Sequence, residues 1–582
     1  MSLHSKVFST VLALSCLSLS ATAYGQTGAP LTSSQAGVFY EDKLKGLGEL
    51  TSLGNDLFGD RVSLYTGGVQ FTQVDVDLPG NNGLPMRFSR TLKMGGRRDI
   101  AKSMKDWEFD LPYISGIFGP SGWVSMVPGE PQRRCSIPLN APQQASAPSE
   151  FVLSDSGSGG IGFSFDPVFF WGGLSLSLPG MDSKPMIVLD TAAKRPVDNR
   201  SYHWTTADRW VFSCLPATSN GVAGEGFLAH APNGDKYWFD RIVTIPRGTM
   251  IANYGAGQFS FRSSMGLREF RATVSRIEDR NGNYITFNYT SGHITMAASD
   301  GRSIAVNSGP DGIASVVADG RTWSYEYSGP AVDRKLSRVV LPDGSSWTID
   351  AGAVFDSQIG GWRNCADFVQ GFIPGPTSAT TVTMTHPSGA IGRFEMAYRL
   401  QGRTDANYSC KPFGSSSYPV ESHILSVLAL NRKVISGPGV STMSWEYAYS
   451  PLTASLITGQ HVICSATPCP TTRSVTVTRE DGSWDRYTFS QKYGDLEGQM
   501  LTEERGNAQG VARRVDLQYR RSSNGSYARI GNNPCWVCSK EEELPKPLES
   551  RTTTQDGQTF LYRVDQFDAY ARPLQITRSS SP

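Results

Sequence analysis

Between Arg276 and Ser291 the chain reads RIEDRNGNYITFNYTS, with apolar and polar positions alternating on either side of Asn281-Gly282. After that dipeptide Ile285, Phe287 and Tyr289 fall on one face, and Tyr284, Thr286, Asn288 and Thr290 on the other. This is the period-two pattern of a half-buried strand. Asn-Gly between two such runs predicts a hairpin, because both central residues of a type I′ turn take positive φ. The unit recurs at Asn233-Gly234, Asp300-Gly301, Asp319-Gly320, Asp343-Gly344, Asp481-Gly482 and Asp556-Gly557, with Ser388-Gly389 as a looser copy. Gly282, Gly301 and Gly320 are each nineteen residues apart, and Gly344 follows after twenty-four. A period near twenty marks a repeat architecture. It is too short for a βαβ crossover, and tight turns pair strands antiparallel. The predicted fold is therefore all-β: a long antiparallel sheet of repeated β-hairpins.

The rest of the chain divides by pattern. Residues 24–57 read as a linker, because Gly46, Gly48 and Gly54 interrupt the one weakly amphipathic run. Residues 58–92 read as a meander of opening strands, in which Val74, Val76 and Leu78 alternate against Asp75 and Asp77. Those two aspartates are expected on a solvated face. Residues 93–225 match the repeat poorly and read as a β-rich insertion that decorates the sheet. Strand-like alternation there runs through Trp107, Phe109, Leu111 and Tyr113, and again around Trp204 and Trp210. From 226 to 582 the hairpins dominate, interrupted at 352–380, 400–420 and 521–550. The last interruption holds Glu541-Glu542-Glu543, expected as a solvated loop.

Several of these segments resemble the RHS/YD-repeat family. Glu278-Asp279-Arg280-Asn281-Gly282-Asn283 and Ser299-Asp300-Gly301-Arg302 resemble its repeats, as does Gln566-Phe567-Asp568-Ala569-Tyr570-Ala571-Arg572-Pro573-Leu574. The last copy has Ala571 where the family places glycine. Tyr289-Thr290-Ser291-Gly292-His293-Ile294 has threonine for aspartate and histidine for arginine. The opening stretch is the more specific match. Gly59-Asp60, Thr66-Gly67, Leu78-Pro79-Gly80, Gly83-Leu84-Pro85 and Arg90-Thr91 follow the order in which RHS-type chains open their shell. The resemblance covers 58–92 well and 226–582 loosely, and the family's self-cleaving core has no counterpart here. It implies an RHS-like β-shell or spiral that encapsulates or presents a toxin or partner, with no catalysis of its own. It also implies that the sheet continues beyond Leu574, on a downstream RHS-type chain or another copy of this one.

Composition adds a compartment. Lys6, the apolar run Val7–Leu19 and Ala21-Thr22-Ala23 form a signal peptide over 1–23 with cleavage after Ala23. The expected location is periplasmic, cell-surface or secreted. No later run is long and apolar enough for a membrane helix, so no membrane span is expected. With Cys16 in the leader, eight cysteines remain, which in an exported chain supports disulfides. Cys535 with Cys538 and Cys464 with Cys469 are the close pairs expected to bond. Cys135 with Cys214 and Cys365 with Cys410 follow only by elimination. A net charge of +1 leaves no footprint for nucleic acid.

Candidate chemistry is sparse. Gly157, Gly159 and Gly162 have dinucleotide-loop spacing, but Phe163-Ser164-Phe165-Asp166-Pro167 is a poor helix start, so no cofactor is expected. Asp279, Asn281 and Asn283 imitate the start of a calcium loop, yet Tyr284 and Thr290 occupy its glycine and glutamate positions. The single CxxC has no partner pair, so no metal site is expected. The histidines at 203, 230, 293, 386, 423 and 461 are isolated. Trp323, Trp347, Trp445 and Trp484 sit in strand-like runs. They are expected to pack within the sheet, and stacking on carbohydrate is their alternative role. The leading function is thus a non-catalytic exported scaffold. The alternatives are a surface adhesin binding carbohydrate through aromatic strand faces, and a secreted hydrolase within 93–225.

Overall fold

A computed structural model describes residues 57–80, 84–94, 103–120, 132–137, 145–147, 149–151, 163–165, 171–181, 183–189, 195–256, 259–331, 334–352, 379–406, 424–457, 462–464, 466–494, 496–521, 527 and 545–581. The expected signal peptide, residues 24–56 of the expected linker, the Gly157–Gly162 spacing, Cys365, Cys410, Cys535, Cys538 and the glutamate run at 541–543 lie outside them. The described residues are all β, without a helix. One antiparallel sheet runs through 24 strands in hairpin order, from Ile187–Val188 to Pro573–Ser581. A branch leaves it where Tyr113–Phe118 pairs with Arg268–Thr273, then passes to Ser175–Ser177 and Lys184–Pro185. The final strand pairs only with Gln558–Phe567, so the sheet is not closed into a barrel. Its start falls earlier than the pattern indicates. Strands Tyr202–Thr205 and Val211–Leu215, inside the expected insertion, already pair in hairpin order.

The turns explain the register. Asn281-Gly282, Asp300-Gly301, Asp319-Gly320, Asp343-Gly344 and Asp481-Gly482 all lie at hairpin tips. Seven five-residue turns share one geometry: Ala231–Asp235, Asp279–Asn283, Ala298–Arg302, Leu341–Ser345, His386–Ala390, Arg479–Ser483 and Asp568–Arg572. In each, the first amide donates to the fifth carbonyl, and the fourth amide donates back to the first carbonyl. The fourth residue alone takes positive φ, as in Gly282 at 88° and Ala571 at 61°. Asn281-Gly282 is therefore not the expected type I′ turn. Asp279 Oδ1 accepts from the amides of Asn281 and Asn283, at 2.8 and 2.9 Å, and holds a longer loop that needs one left-handed residue. Type I′ conformation appears instead at Asp319-Gly320, with φ of 49° and 70°, and at Asp556-Gly557.

The core lies between this sheet and a four-stranded one, Asp60–Val62, Val69–Leu78, Met86–Lys93 and Glu108–Phe109. Alternation on the long sheet sends Ile285, Val316, Trp323, Tyr325, Trp347, Phe394 and Val477 to one inner face, all buried. The opening strands cover that face. Phe58 packs edge-on against Trp347 and Phe394, and Phe71 against Phe394 at 4.7 Å. Backbone contacts fix the docking. The Leu430 amide donates to the Gly67 carbonyl at 2.9 Å, and Arg302 donates to the carbonyls of Leu78 and Leu84. A Cβ at Gly67 would stand 2.4 Å from the Ala429 Cβ, so the approach requires glycine.

Cys135–Cys214 and Cys464–Cys469 lie at disulfide distance, with Cα separations of 5.6 and 5.7 Å. The first ties the segment around 134–136 to the sheet, where Glu225 accepts from the amides of Cys135 and Ser136.

Candidate functional site

The densest polar chemistry lies where the opening strands meet the inner face. Asp75 is the extra residue of a β-bulge, because Val74 pairs with Ser89 and Val76 with Phe88. The bulge turns Asp75 inward and leaves Val74 50% exposed. The Asp75 side chain is only 2% exposed, so the expectation of a solvated face fails for it. The alternation rule assumes one residue per pairing step, and the bulge breaks it. Asp77, two residues on, does face solvent and binds Arg87 at 3.0 Å.

Asp75 Oδ2 accepts from Arg90 Nε and from the Tyr325 hydroxyl, both at 2.9 Å. The fully buried Arg90 guanidinium lies 4.4 Å from the Trp107 ring and 6.0 Å from Trp347. Burial, and then the Asp75 carboxylate, push the Tyr325 phenol well above its ordinary range, so it stays a hydrogen-bond donor. A second buried pair joins the same two layers. Lys433 Nζ meets Asp60 Oδ2 at 2.6 Å, both side chains essentially inaccessible, with the ammonium 4.9 Å from the Trp445 ring. Both clusters bind sheet to opening strands. Neither pairs a nucleophile with a base.

Trp323, Trp347 and Trp445 are 6, 7 and 6% exposed and belong to this core. They pack as cross-strand aromatics do, and burial removes them from stacking on a ligand at an exposed face. Trp484 is half-buried, its indole donates to the Asn507 carbonyl at 3.2 Å, and Arg486 packs 4.9 Å from its ring. The Asp279, Asn281 and Asn283 trio is a turn. Asn283 Nδ2 donates to Asp279 Oδ2 at 2.8 Å, and this bond leads the effects holding the Asp279 carboxyl below the usual range. His293 is bound by Asn307 and Thr295, and His386 by Ser388.

Among the described residues of 93–225 one carboxyl is perturbed upward, a signal the sequence does not carry. Burial pushes Asp110 up to about 6, with Glu108 adding to the shift. Glu108 itself is tied to Arg271. Among the described residues, no group of three or more His, Cys, Asp and Glu side chains is placed to hold a metal ion, and no helix is long and apolar enough to cross a membrane.

The last strands differ from the rest. Pro573–Ser581 is exposed at eight of its nine positions, and its outer edge is unpaired among the described residues. Phe560, Leu574 and Ile576 are 48, 64 and 44% exposed. Alternation and the Val564–Ile576 pairing place all three on one face, together with Val564, which is buried. On that face Tyr562 lies 5.8 Å from both the Arg551 and Arg578 guanidinium groups. No protein-family model matches the chain, and no curated protein matches it.

Proposed function

We propose that this chain is an exported structural scaffold of the RHS/YD type, a segment of β-shell that works by assembly and carries no catalysis of its own. The observation that carries the reading is the contrast along one sheet. The opening strands reach the inner face as far as Phe489 of Trp484–Ser490, whereas Pro573–Ser581 presents an unpaired edge and is exposed at eight of its nine positions, Leu574 and Ile576 among them. Unpaired strand edges recruit other strands. The edge suits a β-strand of a downstream repeat-containing chain or of a second copy. The buried Asp60–Lys433 pair and the Asp75–Tyr325 hydrogen bond support the same reading, because they spend polar groups on joining layers. The role of the shell is to enclose or present a partner, such as a toxin.

The test is size-exclusion chromatography with light scattering on residues 24–582. The scaffold reading expects self-association or poor solubility, relieved by co-expression with a repeat-containing neighbour. A well-behaved monomer that takes up no neighbour overturns it.

A further inference from the structure

The first three strands of the long sheet bury side chains on both faces. Met186, Trp204 and Phe212 belong to the main core. Ile187, Leu189, Tyr202 and Val211 form a separate cluster on the opposite side, and its fifth member is Tyr570, 4% exposed. Tyr570 is the third residue of the Asp568–Arg572 turn, which joins the last two strands. The turn is fixed from within. Asp568 Oδ1 accepts from the amides of Tyr570 and Arg572, at 2.8 and 2.9 Å, and its Oδ2 accepts from Arg572 Nε at 2.6 Å. The Arg572 guanidinium backs the Tyr570 ring at 4.7 Å. On the receiving side the Tyr202 hydroxyl donates to Asp198 Oδ2 at 2.8 Å, and its ring stands edge-on to His230. Both halves of the contact are thus held in place before they meet.

We propose that Ile187, Leu189, Tyr202 and Val211 form a receptor for an aromatic residue at the third position of a five-residue hairpin turn. Tyr570 fills it and clasps the last hairpin over the outer face of the sheet's own first strands. The two ends of the sheet therefore overlap. No ladder joins the first strands to the last among the described residues, so the clasp is a seam held by side-chain burial and opens without breaking strand pairs. It rests on the burial of Tyr570 and is independent of edge pairing, which is read by molecular mass.

Hydrogen exchange on residues 24–582 tests it. Tyr570→Ala removes a buried aromatic side chain, and amides in 202–213 and 559–581 are expected to exchange faster by roughly a hundredfold while 284–490 stays protected. Tyr570→Phe keeps the ring and should retain protection. Val211→Lys should reproduce the alanine result from the receiving side. Unchanged exchange at 202–213 in Tyr570→Ala overturns the clasp. So does a global rise in both disruptive variants, which would make the cluster an ordinary part of the core. Protection lost on simple dilution of the unmodified chain would place Tyr570 in the receptor of a second copy and overturn the intramolecular form.

Discussion

The strands between Tyr284 and Ser490 and those between Met500 and Ser581 are built on the same turns and the same alternation, yet they solve different problems. In the first group the opening strands meet the inner face at Tyr325, Trp347, Phe394 and Phe489, and burial alternates cleanly, as in Ala379–Thr385 and Thr472–Arg479. In the second group few side chains are buried, Val515 and Val564 among them. Cross-strand charges are frequent there: Arg513 with Glu503 at 3.0 Å and Arg514 with Glu504 at 2.9 Å, while Arg505 reaches back to Asp485 of the first group at 2.8 Å. Partly exposed pairs of this kind contribute about 0–1 kcal/mol each, against about 1.5–3 kcal/mol for a buried large apolar side chain. Hairpin chemistry therefore specifies the strands, and the cover decides how firmly they are held.

The largest effect that separates the two regions comes from matched phenylalanines. Phe394 is fully buried against Phe58 and Phe71, so Phe394→Ala should cost about 4–5 kcal/mol, the upper part of the range for buried aromatics. Phe560 is 48% exposed, and Phe560→Ala should cost less than about 1 kcal/mol. Urea unfolding followed by circular dichroism compares them, and similar losses would break the contrast.

A somewhat smaller effect is expected at the buried ion pair. Asp60→Ala leaves Lys433 charged and inaccessible, at a cost of about 3–4 kcal/mol. The aromatic rings of Phe394 and Trp445 beside the ammonium keep the loss in the lower part of that range. A double replacement, Asp60→Leu with Lys433→Met, should recover most of it, because the pair would be exchanged for apolar packing. Failure of the double variant to recover would show that the pair also aligns the two layers.

The smallest effect lies in the uncovered region. Ala571 holds φ at 61° in the position that glycine fills in the six other turns of its type. Ala571→Gly relieves the left-handed strain while loosening the unfolded chain, for a net gain of about 0.5–1 kcal/mol. Slower hydrogen exchange confined to 559–581 is the expected signature.

The turn dipeptides made the architecture legible, since each places glycine where positive φ is required and flanks it with alternating runs. Ala571 was legible as a departure from that pattern. The bulge at Asp75 was not, because it is defined by the partner strand: nothing in Val74-Asp75-Val76 shows that Ser89 and Phe88 will face the first and third residues. The tryptophans at 323, 347 and 445 show the same limit. Their strand positions follow from alternation, but which face is covered depends on the opening strands, more than two hundred residues earlier. The Tyr570 contact also joins segments remote in sequence and has no local signature.

A sheet whose ends overlap through a tyrosine also escapes a constraint that binds barrels. Closure into a barrel links strand number to stagger and tilt, so one added strand pair changes the diameter and every inward side chain must repack. Here the winding has no fixed circumference. A hairpin gained or lost shifts the point of overlap along the outer surface, and any later turn bearing an aromatic at its third position inherits the same receptor. A hairpin added to or removed from such a sheet would leave the strands already paired undisturbed.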